Sequence, residues 1–266
     1  MMNNSLELRI AEALRQGKIE SAEFEARQIV LAVANLGEKS ETTAERMLKM
    51  RLSGEPLQYI LGEWEFFGLP FKVGPGVLIP RPDTEVVVET ALKLLKGQSK
   101  PRVVDVCAGS GCIGIALAVH SGALVTFIEK SREAIRFLKE NVALNRVNAQ
   151  IVECDVLQSP DFGTKEPIDL IVSNPPYIKS DVIGSLSVEV QKEPKMALDG
   201  GEDGLKFYRE ITQKAAADLK ENGHLVFEIG FDQSQKVSEI LRLNGFKDIK
   251  IVKDYGGNDR VVYGTK

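Results

Sequence analysis

Asn174, Pro175, Pro176 and Tyr177 are the residues whose types and order best suit chemistry, because they follow the apolar run 169–173 and so stand at the end of an expected strand. Open α/β sheets bind their ligands beyond the carboxyl ends of strands. Two consecutive prolines fix φ at both positions, remove two backbone donors and keep Asn174 extended. A stiff polar fork is left: the side-chain oxygen of Asn174 and the carbonyl of Pro175, with no local N–H well placed to take either. Two fixed acceptors suit a planar nitrogen bearing two hydrogens, either a carboxamide or the exocyclic amine of a base. Tyr177 offers such a group a flat face. The expected chemistry is therefore on an NH2 group, with Asn174, Pro175 and Tyr177 as catalytic residues and Pro176 beside them against the substrate. Asn-Pro and Pro-Pro are also ordinary turn punctuation, so the rest of the chain has to decide.

A second constellation lies upstream. Residues 103–114, Val-Val-Asp-Val-Cys-Ala-Gly-Ser-Gly-Cys-Ile-Gly, read as a buried strand, a glycine turn and a helix over 113–119, and Gly109, Gly111 and Gly114 match G-x-G-x-x-G. Glu129 ends the next strand, where it can accept hydrogen bonds from both hydroxyls of a ribose. Alone, this pair would suit a nicotinamide oxidoreductase. Asp105 and Asp155 weigh against that. A carboxylate at position 105 would welcome the cationic amino-acid portion of a cofactor and repel a pyrophosphate, and Asp155, after the third strand, can accept from an adenine amino group. Carboxylates at three consecutive strand ends suit an adenosine carrying an ammonium and a sulfonium, S-adenosylmethionine. Taken singly, Asp105 and Asp155 read equally well as helix caps or turn formers.

These residues must be held by a framework, and the chain changes texture twice in supplying one. Over 5–53, apolar residues recur at helical spacing (Leu6, Ile10 and Leu14; Phe24, Ile29, Val33 and Leu36; Met47, Leu48 and Leu52), with Gly37 and Gly54 as stops and Thr42 with Glu45 as a capping box. Residues 1–61 are thus expected to be a helical bundle that recognises substrate. Glycines and prolines then interrupt short apolar runs, which predicts a hairpin-bearing linker over 62–84. In it Arg81 and Glu85 read as a surface salt bridge or, alternatively, as a direct contact to cofactor or substrate, and Tyr59, Trp64, Phe66 and Phe67 as packing between domains. Asp83 or Thr84 is expected to cap a helix carrying Val87, Ala91, Leu94 and Leu95. Beyond it strands are expected at 102–106, 124–128, 150–153, 169–173, 224–229, 248–252 and 261–263, with helices between most of them. That alternation predicts an α/β catalytic domain over 85–266, a mostly parallel sheet covered on both faces.

Composition narrows the class. The chain has 266 residues, 43% hydrophobic and 27% charged, the balance of a globular protein with one large or two unequal domains. Its formal net charge of -4, from 34 basic and 38 acidic residues, supplies no global attraction to a nucleic-acid backbone. No apolar run reaches the length of a membrane span, and residues 1–7 lack the basic and apolar regions of a signal peptide, so the cytoplasm is the expected location. The 3 cysteines, Cys107, Cys112 and Cys154, are odd in number and lack paired spacing, and the 2 histidines, His120 and His224, lie far apart. Neither a disulfide framework, a metal site nor a histidine triad is expected; the cysteines read as small buried residues.

With both constellations in place, the sequence resembles the HemK/PrmC family of protein-glutamine N5-methyltransferases almost end to end. Gly54-Glu-Pro-Leu-Gln-Tyr-Ile-Leu-Gly62, Glu65-Phe-Phe-Gly-Leu69 and Val77-Leu-Ile-Pro-Arg-Pro-Asp-Thr-Glu85 look like its linker and entry signature. Ser173-Asn-Pro-Pro-Tyr-Ile178 resembles its catalytic motif, and Glu193-Pro194, 197–205, Phe227-Glu-Ile-Gly230 and 254–262 its later blocks. The tetrad alone is shared with adenine and cytosine amino-methyltransferases acting on DNA; the Pro-Arg-Pro-Asp-Thr-Glu segment is far more specific. The resemblance implies a class I S-adenosylmethionine-dependent methyltransferase, a Rossmann-like seven-stranded sheet behind an N-terminal helical bundle. It also implies an activity: methylation of the glutamine in the Gly-Gly-Gln motif of peptide chain release factors, by a monomer without nucleic-acid or membrane partners. Carried over, Cys107, Ala108, Gly109, Ser110 and Gly111 would line the cofactor's methionine end, Glu129 its ribose, and Asp155 and Val156 its adenine. Asn174 to Tyr177 would hold the substrate amide, with Asn174 also at the cofactor. Cys107 stands where the family usually has glycine, Glu129 where aspartate is commoner, and Val156 where a larger apolar residue is frequent. A DNA amino-methyltransferase is the alternative, and the net charge and the acidic segment 199–203 speak against it.

Overall fold

A computed structural model describes residues 2–164 and 166–266. The helical periodicity at the front of the chain becomes α1 (Met2–Gln16), α2 (Ala22–Val33) and α3 (Ser40–Leu52), closed by a short α4 (Leu57–Leu61). Ile10, Leu14, Ala26, Ile29 and Val33 form their common core. The third helix starts at Ser40, so Thr42 and Glu45 lie within it and do not cap it. Phe24, Leu36 and Leu52, expected in the core, are exposed.

The linker carries the hairpin β1 (Glu63–Phe66) and β2 (Leu69–Lys72). Phe67 and Gly68 turn it with φ of 52° and 72°, the handedness that matches strand twist. Trp64 packs against both the bundle core and the small cluster of Val73, Val77, Ala134 and Phe137, and the Tyr59 hydroxyl donates to the Val77 carbonyl at 2.5 Å. These aromatics join the two parts of the molecule.

The remainder alternates as α5 (Glu85–Leu95), β3 (Arg102–Val106), α6 (Cys112–Ser121), β4 (Leu124–Glu129), α7 (Arg132–Leu144), β5 (Ala149–Glu153), β6 (Ile168–Ser173), α8 (Lys195–Leu198), α9 (Lys206–Asp218), β7 (Leu219–Glu228), α10 (Ser234–Leu243), β8 (Lys247–Lys253) and β9 (Asp259–Thr265). The sheet has 7 strands in the order β5-β4-β3-β6-β7-β9-β8, parallel except for β9, which is antiparallel to both neighbours. Alternate residues of its strands serve opposite faces. Val103, Val125 and Phe127 pack with α5, α6 and the hairpin aromatics, whereas Val104, Val106, Ile128 and Phe227 pack with Tyr208, Ile211, Val237 and Leu241. From β3 the chain crosses outward to β4 and β5 on one side, then from β5 back to β6 on the other side of β3, and the crevice that opens at this reversal is the expected ligand position. No described helix is long and apolar enough to cross a membrane.

Candidate active site

One cavity at that crevice gathers residues from both constellations: Cys107, Ala108, Gly109, Ser110, Glu129, Asp155, Val156, Asn174 and Pro176 all line it. Asp105, Gly111, Pro175 and Tyr177 do not.

The turn after β3 is built from its backbone outward. Cys107 adopts φ of 58°, a left-handed conformation that is costly for a residue with a Cβ and that persists where surrounding contacts enforce it. Enforcement comes from Glu129: its Oε2 accepts from Gly109 N at 2.8 Å, and its Oε1 from Lys130 N at 2.8 Å and Ser131 N at 2.7 Å. The carboxylate thus ties the end of β4 to the turn while still facing the cavity. Asn141 of α7, fully buried, secures the turn from behind. Its Nδ2 donates to the Ser110 carbonyl at 2.9 Å and to the Lys72 carbonyl at 3.1 Å, and its Oδ1 accepts from Lys72 N at 2.6 Å. Nothing in the local pattern around Asn141 announces this, because its partners lie on the hairpin and on a turn far away in sequence.

Asp105 requires a correction. Its carboxylate points beneath α6, 1% exposed, and accepts from Gly114 N at 2.8 Å. A Cβ at Gly114 would stand 2.4 Å from Phe127 and 2.9 Å from Asp105 Oδ2, so only glycine lets the strand-end acid reach the helix amide. Burial, opposed by that N–H, pushes Asp105 up to about 8. It holds the helix start from below and does not line the cavity.

Asp155 keeps its place in the cavity wall. Desolvation pushes it upward, but Lys130 Nζ at 2.8 Å and Leu157 N at 3.0 Å hold its carboxyl below the usual range, so it is ionised. Cys107, Cys112 and Cys154 also line the cavity, and Cys112 alone is fully buried. Burial, with Glu129 and Asp105 nearby, drives the Cys107 thiol well up, and burial pushes Cys112 to about 12, so both stay protonated.

At the end of β6, Asn174 Nδ2 donates to the Thr84 hydroxyl at 3.4 Å. That bond turns the amide so that Oδ1 is left open; among the described residues nothing donates to it or to the Pro175 carbonyl. Thr84, which precedes α5, makes no side-chain capping bond, and Asp83 makes none either. The Tyr177 ring leans into the core beneath β7, its hydroxyl 3.5 Å from Glu228 Oε1 and its carbonyl taken by Gln233 Nε2 at 3.0 Å. The chain after the tetrad returns to brace it: Ile178 N donates to the Leu198 carbonyl at 3.0 Å and Gly200 N to the Ile178 carbonyl at 2.8 Å.

Two walls of the cavity were not evident from the sequence. Residues of the linker from Gly76 to Thr84 form one, and Pro194, Met196, Ala197 and Phe207 contribute to the other. Arg81 lies in the first wall and pairs with buried Glu193 rather than with Glu85, and Glu193 Oε2 also takes Ile79 N at 3.0 Å. Glu85 instead accepts from Phe67 N at 3.0 Å and holds the hairpin.

Residues 84–257 match the Methyltransferase small domain family. A release factor glutamine methyltransferase of Fusobacterium nucleatum is 46% identical over 233 residues, which cover 86% of this chain and 65% of that protein. The protein of the same name from Thermodesulfovibrio yellowstonii is 42% identical over 83% of this chain and 80% of its own length. Among solved structures, a 16S rRNA N2 G1207 methyltransferase of T. thermophilus in complex with AdoMet and guanosine superimposes with a TM-score of 0.56 at 20% identity, over 77% of this chain and 49% of that one. That likeness concerns the fold, which is the class I methyltransferase fold.

Proposed function

The chain belongs to the release factor glutamine methyltransferase family, and from that membership we propose that it methylates the side-chain amide nitrogen of the Gly-Gly-Gln glutamine in peptide chain release factors with S-adenosylmethionine. The observation that carries the reading is the orientation of Asn174: with Nδ2 held by Thr84, Oδ1 is left to accept, next to the Pro175 carbonyl, to which nothing donates among the described residues.

The cavity suits the cofactor. A Cβ built on Gly109 would meet nothing within 4 Å, so the turn leaves open space where a ligand can press against backbone. Ionised Asp155 and the Glu129 carboxylate are placed to accept from an amine and from ribose hydroxyls. Cys107 to Ser110 would hold the methionine end, and buried Val156 the adenine. When bound, S-adenosylmethionine supplies a methyl group made electrophilic by its sulfonium.

An amide nitrogen is a poor nucleophile because its lone pair is delocalised into the carbonyl. Asn174 Oδ1 and the Pro175 carbonyl accept its two N–H bonds, which favours a partly pyramidal nitrogen and aims the lone pair. The same acceptors stabilise the positive charge that develops on nitrogen, and their rigidity on two prolines supplies orientation in advance. The bundle, joined through the hairpin to the catalytic sheet, serves as the module that recognises the release factor. A cytoplasmic location follows from that substrate. The DNA amino-methyltransferase alternative shares the tetrad, but the net charge of -4 gives it no support.

The test is incubation with S-adenosylmethionine and a release factor, followed by peptide mass spectrometry. One added methyl on the Gly-Gly-Gln glutamine is the expected product; a methyl on any other residue type, or on DNA in preference to protein, refutes the proposal.

A further inference from the structure

An amide can present either end, so the function proposed above, on which this inference rests, needs something that decides which end of Asn174 faces the substrate. Glu228 closes β7 and is 2% exposed. Its Oε1 has the Tyr177 hydroxyl at 3.5 Å, and its Oε2 has no hydrogen bond of good geometry among the described residues, which leaves the Thr84 hydroxyl as the nearby donor able to serve it. A buried carboxylate oxygen without a donor is costly and unusual in a native fold. The groups that face it are Thr84 and Asp83 from the segment before α5, Tyr177 from the tetrad and Arg260 from β9, while the Tyr208 hydroxyl donates to the Glu228 backbone carbonyl at 2.9 Å.

Thr84 stands between this carboxylate and Asn174. A hydroxyl has one hydrogen to give, and an ionised carboxylate can only accept. The Thr84 hydrogen therefore turns toward Glu228, and a lone pair of the same oxygen is left for Asn174 Nδ2, in agreement with the 3.4 Å contact. We infer that Glu228, acting through Thr84, is a positioning residue that sets the Asn174 amide with Oδ1 toward the substrate NH2 group. A neutral Glu228 would carry a donor of its own, free the Thr84 hydrogen to turn toward Asn174, and draw the amide oxygen inward. The NH2 of Asn174 would then face the NH2 of the substrate, donor against donor. Burial pushes Glu228 up to about 7 against the pull of Thr84 and Arg260, so the reversal falls near neutral pH.

The experiment uses the full chain with S-adenosylmethionine and a release factor. Thr84→Val should lower kcat by about 10²-fold, the scale of a misaligned reacting group, with cofactor affinity by calorimetry unchanged, and Thr84→Ser should restore it. The acid limb of the wild-type kcat profile should be absent in Glu228→Gln. In parallel, the side-chain amide resonances of Asn174 should shift with the ionisation of Glu228 in the wild type and stay flat in Thr84→Val. A Thr84→Val enzyme with normal kcat, a Thr84→Ser enzyme as slow as Thr84→Val, or an Asn174 amide that ignores the Glu228 titration overturns the inference. Absence of methyl transfer by the wild type counts against the proposed function instead, and the amide titration then decides the positioning alone.

Discussion

In the proposed reaction Asn174 is the side chain on which methyl transfer turns, and it shares one cavity with the residues assigned to the cofactor. The turn after β3 and the carboxylates at 129 and 155 line the same cavity as Asn174 and Pro176. Asn174→Ala removes an acceptor without touching Glu129 or Asp155. We expect kcat to fall about 10²-fold or more, the usual cost of losing one preorganised transition-state contact, while cofactor affinity measured by calorimetry stays within a few-fold; near-normal turnover would sink the assignment. Asp105 calls for a different measurement. Its carboxyl rises from 3.8 to about 8 in the folded protein, so the fold holds this proton more tightly than the unfolded chain does. The group therefore favours folding fully below the unfolded value and loses that contribution as pH rises through the folded one. In urea titrations, Asp105→Asn, which keeps an acceptor for Gly114 N, should gain on the wild type steadily between these two values and then level off. A stability difference that does not vary with pH would contradict the burial argument.

Elements position these residues through backbone approaches that side-chain chemistry alone does not reveal. The loop 199–204 lies against the tetrad so closely that a Cβ at Gly200 would stand 2.7 Å from Tyr177 Cα and 2.8 Å from the Pro176 carbonyl. Backbone cannot yield there as a flexible side chain would. Gly200→Ala should therefore displace the tetrad, lowering kcat by a factor comparable to loss of Asn174 while the far-UV circular dichroism spectrum is retained; unchanged kinetics would show that the loop is not a brace. The central strands β3, β4 and β6 were legible because buried parallel strands need continuous apolar runs, and the turn after β3 because its glycines are local. Thr84 stands at the cap position of α5 but makes no capping bond, since its hydroxyl meets Asn174, ninety residues away, and Arg81 was paired with Glu85 because Glu193 is still farther along the chain. Asp105 was placed in the site because strand ends usually point there; its inward turn depends on an unhindered amide at Gly114. What periodicity and turn chemistry encode locally was readable, and what tertiary contacts decide was not.

Across the whole molecule, a buried cation adds to the ties between the bundle and the catalytic part. Arg51 of α3 binds Glu25 of α2 through Nε at 2.5 Å and Nη2 at 3.1 Å, and Glu189, in the segment after the tetrad, through Nη2 at 2.6 Å. The side chains of Arg51 and Glu25 are 4% and 8% exposed, that of Glu189 46%. Four residues beyond Glu189 the same segment pairs Glu193 with Arg81 in the cavity wall, so the bundle and the wall are held by one stretch of chain. The two partners of Arg51 should not be equivalent. Removing a buried partner strands a charge and costs about 3–5 kcal/mol, whereas an exposed pair contributes about 0–1 kcal/mol. Arg51→Ala should accordingly lower the urea midpoint strongly, with Glu25 left buried and uncompensated, and Arg51→Ala combined with Glu25→Ala should recover part of the loss. Glu189→Ala should leave the midpoint nearly unchanged, yet raise KM for the release factor if the bundle recognises that substrate, because the bundle then loses one of its ties to the catalytic part. Equal destabilisation by Arg51→Ala and Glu189→Ala, or a double variant no more stable than Arg51→Ala alone, would show that burial does not set the strength of this junction.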